Sequence, residues 1–266
     1  MGLGNISQAL IKGIRLNDKA INISAFDIDE KQFIKVKQLN VKQCLTPQLL
    51  AKNSDMIFLC VKPNLVTNVL SDLKPYLKKT QIIISVAAGI KISIIQKLIN
   101  QIKVVRIMPN LPASYGFGMT AVKFGSKCTN NDMKKTLSIL EKFGKTIKIS
   151  RESKFDPITS ISGSGPAFLA YYYDSVLEFC IKSGFTKKQS QNITSQTLTG
   201  ALEFLKHSGM DPKKFIDKVS SRGGTTEEGV KALSKRGFKK IILEGHSRAS
   251  EKSKLISNKI SSIIKK

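Results

Sequence analysis

The 266-residue sequence predicts an α/β protein in two parts: a parallel sheet wound with crossover helices over residues 1–150, then an all-helical domain over residues 151–266. Three observations carry this expectation. Short β-branched runs alternate with helical segments from Asn22 to Lys148, as strands joined by crossover helices require. Beyond Arg151 the strand pattern stops and only helical periodicity continues. Within that second part, the stretch Ser220–Gly229 packs hydroxyls, glycines and a helix start into one short segment.

The chain opens with Gly2-Leu3-Gly4-Asn5-Ile6-Ser7 at the head of a helix through Ile14, the arrangement of a Rossmann-type dinucleotide fingerprint. Ser7 stands in the third glycine position, a small change because that position serves helix packing. Only Met1 precedes the glycines, so the central first strand is expected to be missing from this sequence. Its absence is expected to orphan backbone groups on both neighbours and to open the sheet at the cofactor crevice. That is a loss of several kcal/mol against a domain stability of about 5–15 kcal/mol. Intact later motifs favour translation from an upstream start over a decaying gene.

Strands are expected at Ile21–Phe26, Met56–Val61, Gln81–Val86, Lys103–Ile107, Met119–Phe124 and Thr146–Ile149. Helices are expected at Val66–Leu77, Ile92–Asn100 and Asp132–Phe143. Asp27 follows the first of these strands, where an acidic side chain receives the adenosine ribose hydroxyls in NAD-binding folds, and an ordinary turn residue is the alternative. In the second part, Pro166 leads into a helix over Ala167–Ser183, with Phe168, Tyr172, Val176, Leu177 and Cys180 on one face. A second helix runs over Lys187–His207, and Gly184 and Gly209 punctuate the ends of the two. The last helix, Lys239–Ile264, repeats Ile242, Ala249, Ile256, Ile260 and Ile263 as a seam that needs a partner helix.

Composition narrows the function. The net charge of +25 invites a polyanion, yet only six of the 44 basic residues are arginine and the lysines are scattered, so no specific nucleic-acid role is expected. No apolar run approaches the ~18 residues of a membrane span and no signal layout opens the chain. Cys44, Cys60, Cys128 and Cys180 show no metal spacing and suit free thiols in a reducing, cytoplasmic compartment. His207 and His246 are not spaced as metal ligands, so no metal is expected. Gly163-Ser164-Gly165 lacks the spacing of a hydrolase elbow, and no phosphate loop with Gly-Lys-Ser/Thr follows a strand.

The segment Ser-Ser-Arg-Gly-Gly-Thr-Thr-Glu-Glu-Gly at 220–229 can converge backbone N–H groups on an anion, with Thr225 or Thr226 capping the helix that follows. A carboxylate receptor results, and the Thr226 hydroxyl can serve a nitrogen or oxygen beside the bound acid group. A plain loop before a capped helix is the competing reading.

Taken with Ser162-Gly-Ser-Gly-Pro-Ala-Phe168, Val61-Lys-Pro63, Ser85-Val-Ala-Ala-Gly89 and Met108-Pro-Asn-Leu-Pro112, this segment makes the chain resemble pyrroline-5-carboxylate reductases from Gly2 to about Leu255. The resemblance implies reduction of a cyclic imino acid to L-proline by NADPH or NADH. It also implies a helical dimerisation domain, and a homodimer or larger homo-oligomer whose active site lies between the cofactor domain of one subunit and helical elements of the dimer. Gly2, Gly4, Asn5, Ile6, Val61, Lys62, Pro63, Ala87, Ala88, Gly89 and Pro109 would then meet the cofactor, with Asn110 bonding the nicotinamide carboxamide. Ser221 and the backbone N–H groups of Gly224, Thr225 and Thr226 would take the substrate carboxylate, and the Thr226 hydroxyl the ring nitrogen. The loop at Ser162, Gly163 and Ser164 would pack beside it. Family members often carry Arg or Ser after the Asp27 strand for a 2′-phosphate; Ile28 and Asp29 offer neither, although Lys31 is near, which tilts the expectation toward NADH. Two other readings stay open: a non-catalytic helical dimer with a failed crevice, and a related imine or β-hydroxyacid reductase.

Overall fold

The computed structural model describes residues 1–265. It divides into two compact units, Met1–Ser164 with the chain from Ser247, and Gly165–His246. The break in sequence pattern near residue 150 is therefore not where packing divides. Residues 151–164 stay with the first unit because Phe155 is fully buried there, and the Arg106 guanidinium lies 4.1 Å from its ring centre. The end of the last helix joins the same unit through the Ser253 and Ser257 hydroxyls, which donate to Asp156 Oδ1 at 2.8 and 3.2 Å.

In the first unit, helix α1 (Asn5–Asn17) leads to strand β1 (Ser24–Ala25), then α2 (Glu30–Ile34), β2 (Lys42–Gln43) and α3 (Pro47–Lys52). Strand β3 (Met56–Leu59), α4 (Val66–Leu73), β4 (Ile82–Ser85), α5 (Ile92–Leu98) and β5 (Lys103–Met108) follow as parallel strands with helical crossovers. Ile82, Ile83 and Ile84 are at most 3 % exposed, and such burial contributes about 1.5–3 kcal/mol per side chain. The unit continues with β6 (Gly118–Phe124), α6 (Asn130–Leu140), β7 (Gly144–Lys148) and α7 (Phe155–Ile158).

The sheet is not parallel throughout, because β6 runs antiparallel to β5. Between them lies only a short turn around the 3₁₀ segment Leu111–Tyr115, too short for the dozen or more residues of a parallel crossover. β1 and β2 form a two-stranded sheet apart from the five-stranded sheet β3-β4-β5-β6-β7. Met1–Leu3 spans the interval with isolated bonds: Gly2 N donates to Phe26 O at 2.9 Å and Cys60 N to Met1 O at 2.8 Å. Burial pushes the Met1 ammonium pKa down, against the pull of the neighbouring Cys60 and Asp27 charges. Arg15 helps to secure the segments around β1 and β2, donating to the carbonyls of Leu39, Ile21 and Asn40 at 2.6–2.8 Å.

Gly13 fixes how α1 docks. A Cβ there would lie 2.1 Å from Ala113 O and 2.5 Å from Phe143 Cβ, so the helix reaches the β5–β6 turn only because position 13 carries no side chain. This close approach lets α1 bury Leu10 and Ile14 against the five-stranded sheet.

From α7 the chain passes through a π-helical turn, Thr159–Ser164, into α8 (Gly165–Lys182). The loop expected at Ser162–Gly165 is thus a helical segment in altered register. The second unit then adds α9 (Lys187–Ser208), α10 (Pro212–Val219), α11 (Thr225–Lys235) and the start of α12 (Phe238–Lys265). Thr186 and Gln189 form a capping box at the head of α9, and Gly209 ends it in the left-handed region. Few side chains of this unit are buried; Tyr171, Phe179, Leu243 and Ile241 are 59–81 % exposed. Of the expected seam on α12, Ile242 and Ile256 are exposed while Ile260 packs into the first unit's core, and the side chain of Ile263 lies outside those described. Among the described residues no helix is long and apolar enough to cross a membrane.

Candidate active site

The glycine turn before α1 has the form a pyrophosphate site requires. Gly2 has φ +84°, and a Cβ on it would sit 2.9 Å from the Cys60 carbonyl, so only glycine fits against the end of β3. Gly4 is the N-cap of α1 and has nothing within 4 Å of its would-be Cβ. No side chain caps the helix and no acid stands in its first turn, which leaves the leading amides of Asn5 and Ile6 free for an anion. The Ser7 hydroxyl, in place of the third glycine, donates to Gly2 O at 2.5 Å and so braces the turn. These features fit a dinucleotide.

Asp27 is engaged by backbone. Its Oδ2 accepts from Leu3 N at 2.6 Å and its Oδ1 from Asp29 N at 2.9 Å, tying β1 to the glycine turn. The ribose role expected from sequence is left to whatever acceptor capacity remains. Val61, Lys62 and Pro63 form the exit of β3, with Lys62 exposed and Pro63 opening a 3₁₀ turn. Ala87 is buried after β4, and Ala88 is half-buried.

Two of the expected nicotinamide contacts also meet other parts of the chain. Gly89 has φ +77° and a Cβ there would lie 2.8 Å from Ser257 Cα, so its small size admits α12. Pro109 and Asn110 are buried, and the Asn110 carboxamide is bonded at both ends within the chain. Its Nδ2 donates to Ser162 O at 2.9 Å and its Oδ1 accepts from Met119 N at 3.0 Å. Ser162 Oγ in turn donates to Ile158 O at 3.0 Å, while Gly163 is exposed and Ser164 half-buried.

The second unit holds the expected carboxylate receptor as a tight turn followed by α11. Gly224 N donates to Ser221 O at 2.9 Å across Arg222 and Gly223, the latter with φ +71°. The Gly224 amide thus closes the turn. A Cβ at 224 would lie 2.4 Å from Ser221 Oγ, which explains the glycine. Neither threonine caps the helix: Gly224 is the N-cap, Thr225 and Thr226 follow as the first helical residues, and their amides have no partner within the helix. Glu227 reaches back, its Oε2 accepting from Gly223 N at 2.6 Å. That amide, with the Lys231 ammonium, holds the Glu227 carboxyl below the usual carboxylate range. Among the described residues no group of three or more His, Cys, Asp or Glu side chains could hold a metal ion.

Sequence reasoning missed Arg106, Glu152 and Glu227. Arg106 Nη1 pairs with Glu152 Oε1 at 2.9 Å, and the same oxygen accepts from Ile92 N at 3.1 Å. A lone arginine inside the apolar run Val104–Met108 is the signal that could have found the pair, because a buried charge needs a partner.

The profile of pyrroline-5-carboxylate reductase dimerisation matches residues 152–256, and that of NADP oxidoreductase, coenzyme F420-dependent, matches residues 1–89. The pyrroline-5-carboxylate reductase of Methanosarcina acetivorans is 31 % identical over 97 % of this chain and 97 % of its own. Pyrroline-5-carboxylate reductase 1 of Bacillus subtilis is 33 % identical over 98 % of this chain and 89 % of its own. The chain belongs to the pyrroline-5-carboxylate reductase family. Among solved structures, the Plasmodium falciparum pyrroline carboxylate reductase with NADP bound superposes with a TM-score of 0.85 at 28 % identity, covering 97 % of this chain and 96 % of that one. A Mycobacterium tuberculosis 3-hydroxyisobutyrate dehydrogenase, at 10 % identity and TM-score 0.51 over 85 % of this chain and 69 % of its own, shares the fold alone.

Proposed function

We propose that this chain reduces the C=N bond of pyrroline-5-carboxylate to L-proline with a reduced nicotinamide dinucleotide, as a cytoplasmic homodimer or larger homo-oligomer. The observation that carries this reading is a pair of glycine turns in one chain, each leading into a helix whose N-cap glycine offers no side-chain cap: the head of α1 and the Ser221–Thr226 turn before α11. Near-full-length similarity to reductases of that name supports it. The exposed apolar side chains of the second unit support self-association, since burying them needs another surface.

When bound, the cofactor supplies the hydride. Gly2, Gly4 and the leading amides of α1 hold its pyrophosphate, with Val61–Pro63, Ala87, Ala88 and Pro109 beside the rest. The Thr225 and Thr226 amides and the Ser221 hydroxyl hold the substrate carboxylate. The Thr226 hydroxyl orients the ring nitrogen and stabilises it as it gains electrons and a proton. No side chain has to act as a strong base.

NADH is the preferred carrier in this proposal. Ile28 is 86 % exposed between Asp27 and Asp29, where no arginine or serine stands to receive a 2′-phosphate, and the nearest cations, Lys31 and Lys35, already act on Asp29. The test is proline formation in step with cofactor oxidation, with a lower KM for NADH than for NADPH. A clear NADPH preference contradicts the carrier assignment, and failure to form proline with either contradicts the function.

A further inference from the structure

We propose that Asn110 is a positioning residue which holds the π-helical turn of the Ser162–Ser164 segment in its working register. The Ser162 carbonyl lacks its ordinary helical donor. In an α-helix the Ser162 carbonyl would accept from the backbone of residue 166, but Pro166 has no N–H. Ser162 is 7 % exposed, so water is a poor substitute, and a buried carbonyl without a partner is costly.

Asn110 supplies that donor. Its Nδ2 lies 2.9 Å from Ser162 O, and its Oδ1 is fixed in turn by Met119 N at 3.0 Å, so the carboxamide cannot rotate away without losing both bonds. The Ser162 hydroxyl closes the turn from inside by donating to Ile158 O. The same strand grips the near end of the segment, through Arg106 and Glu152, and Glu152 also receives the Ile92 amide at the head of α5. Two residues of the β5 region therefore tie the 152–164 segment to the sheet that ends in the cofactor loops. A register change tolerated at Ser162–Ser164 is a feature often found at functional sites, and here its cause is a proline that removes one donor and an asparagine that replaces it.

This inference rests on the reductase reading, and the experiment separates the two. Asn110→Asp is nearly isosteric and keeps the acceptor for Met119, but lacks the donor for Ser162. Kinetics, NADH affinity by fluorescence and amide hydrogen exchange are measured on the full chain. The expected result is a kcat about tenfold lower, NADH affinity within about twofold of wild type, and exchange at residues 163–168 at least tenfold faster with the sheet unchanged. Adding Pro166→Ala, which returns an N–H to that position, is expected to restore part of both kcat and protection. Wild-type kcat and exchange in Asn110→Asp overturn the inference. So does weakened NADH binding with unchanged exchange, which makes Asn110 a cofactor ligand, or a double variant with no recovery. An inactive wild type contradicts the reductase reading instead, and the exchange measurement still decides the role of Asn110.

Discussion

Replacing Thr226 by alanine lowers kcat/KM for pyrroline-5-carboxylate by about ten- to a hundredfold, the loss expected when one hydrogen bond of ~1.5–3 kcal/mol to a developing charge is removed. Thr226 is the second residue of α11 and half-buried, and its hydroxyl is bonded to no other group among the described residues. Because Gly224 and not a threonine is the N-cap, the substitution removes no helix cap, and thermal stability is expected to change little. Thr226→Ser, which keeps the hydroxyl, should retain most of the activity. Steady-state kinetics of the two variants beside a melting curve separate a catalytic loss from an unfolding one. An unaltered kcat/KM in Thr226→Ala would remove this residue from the mechanism.

Glu152→Ala is expected to have the largest effect on stability. The Arg106 side chain is 4 % exposed and that of Glu152 20 %, so truncating the glutamate strands a guanidinium between a fully buried Phe155 ring and the sheet. The Ile92 amide loses its acceptor at the same time. Removing one member of a buried pair costs roughly 3–5 kcal/mol, a large share of a net stability of about 5–15 kcal/mol. Arg106 Nε already has no partner, so the arginine has few alternatives to turn to. Glu152→Gln keeps an acceptor and should lose less. Combining Glu152→Ala with Arg106→Met removes the stranded charge and should recover much of the loss. Urea unfolding of the three variants checks the order; a loss below about 1 kcal/mol for Glu152→Ala would mean that water reaches Arg106 and the pair is not buried in effect.

Much of this architecture was legible because it rests on local pattern. The apolar run at Ile82–Ile84 could only be a buried strand. The direction of β6 was readable in principle from the shortness of the Met108–Gly118 connection, but apolar patterning carries no sign of strand direction. At the site, residue types gave the two glycine turns and not the use of each amide. The Gly224 N–H is taken by Ser221 O, and the Gly223 N–H by Glu227, through contacts that depend on how the turn closes. Likewise a Ser-Gly-Ser-Gly-Pro string reads as loop, whereas the structure keeps it helical by lending it the Asn110 amide. Gly13 offered a clue that passed unread: a glycine in a helix interior costs about 1 kcal/mol against alanine, so it asks for a close neighbour.

The central claim is that the turn from Ser221 to Thr226 recognises a carboxylate on the ring being reduced. Comparing kcat/KM for pyrroline-5-carboxylate with that for 1-pyrroline, the same ring without its acid group, tests it most directly. The account predicts a fall of about a hundredfold or more for the ring that lacks the charge, the scale on which a site built for a polar group rejects its absence. Equal efficiency for the two rings would contradict it.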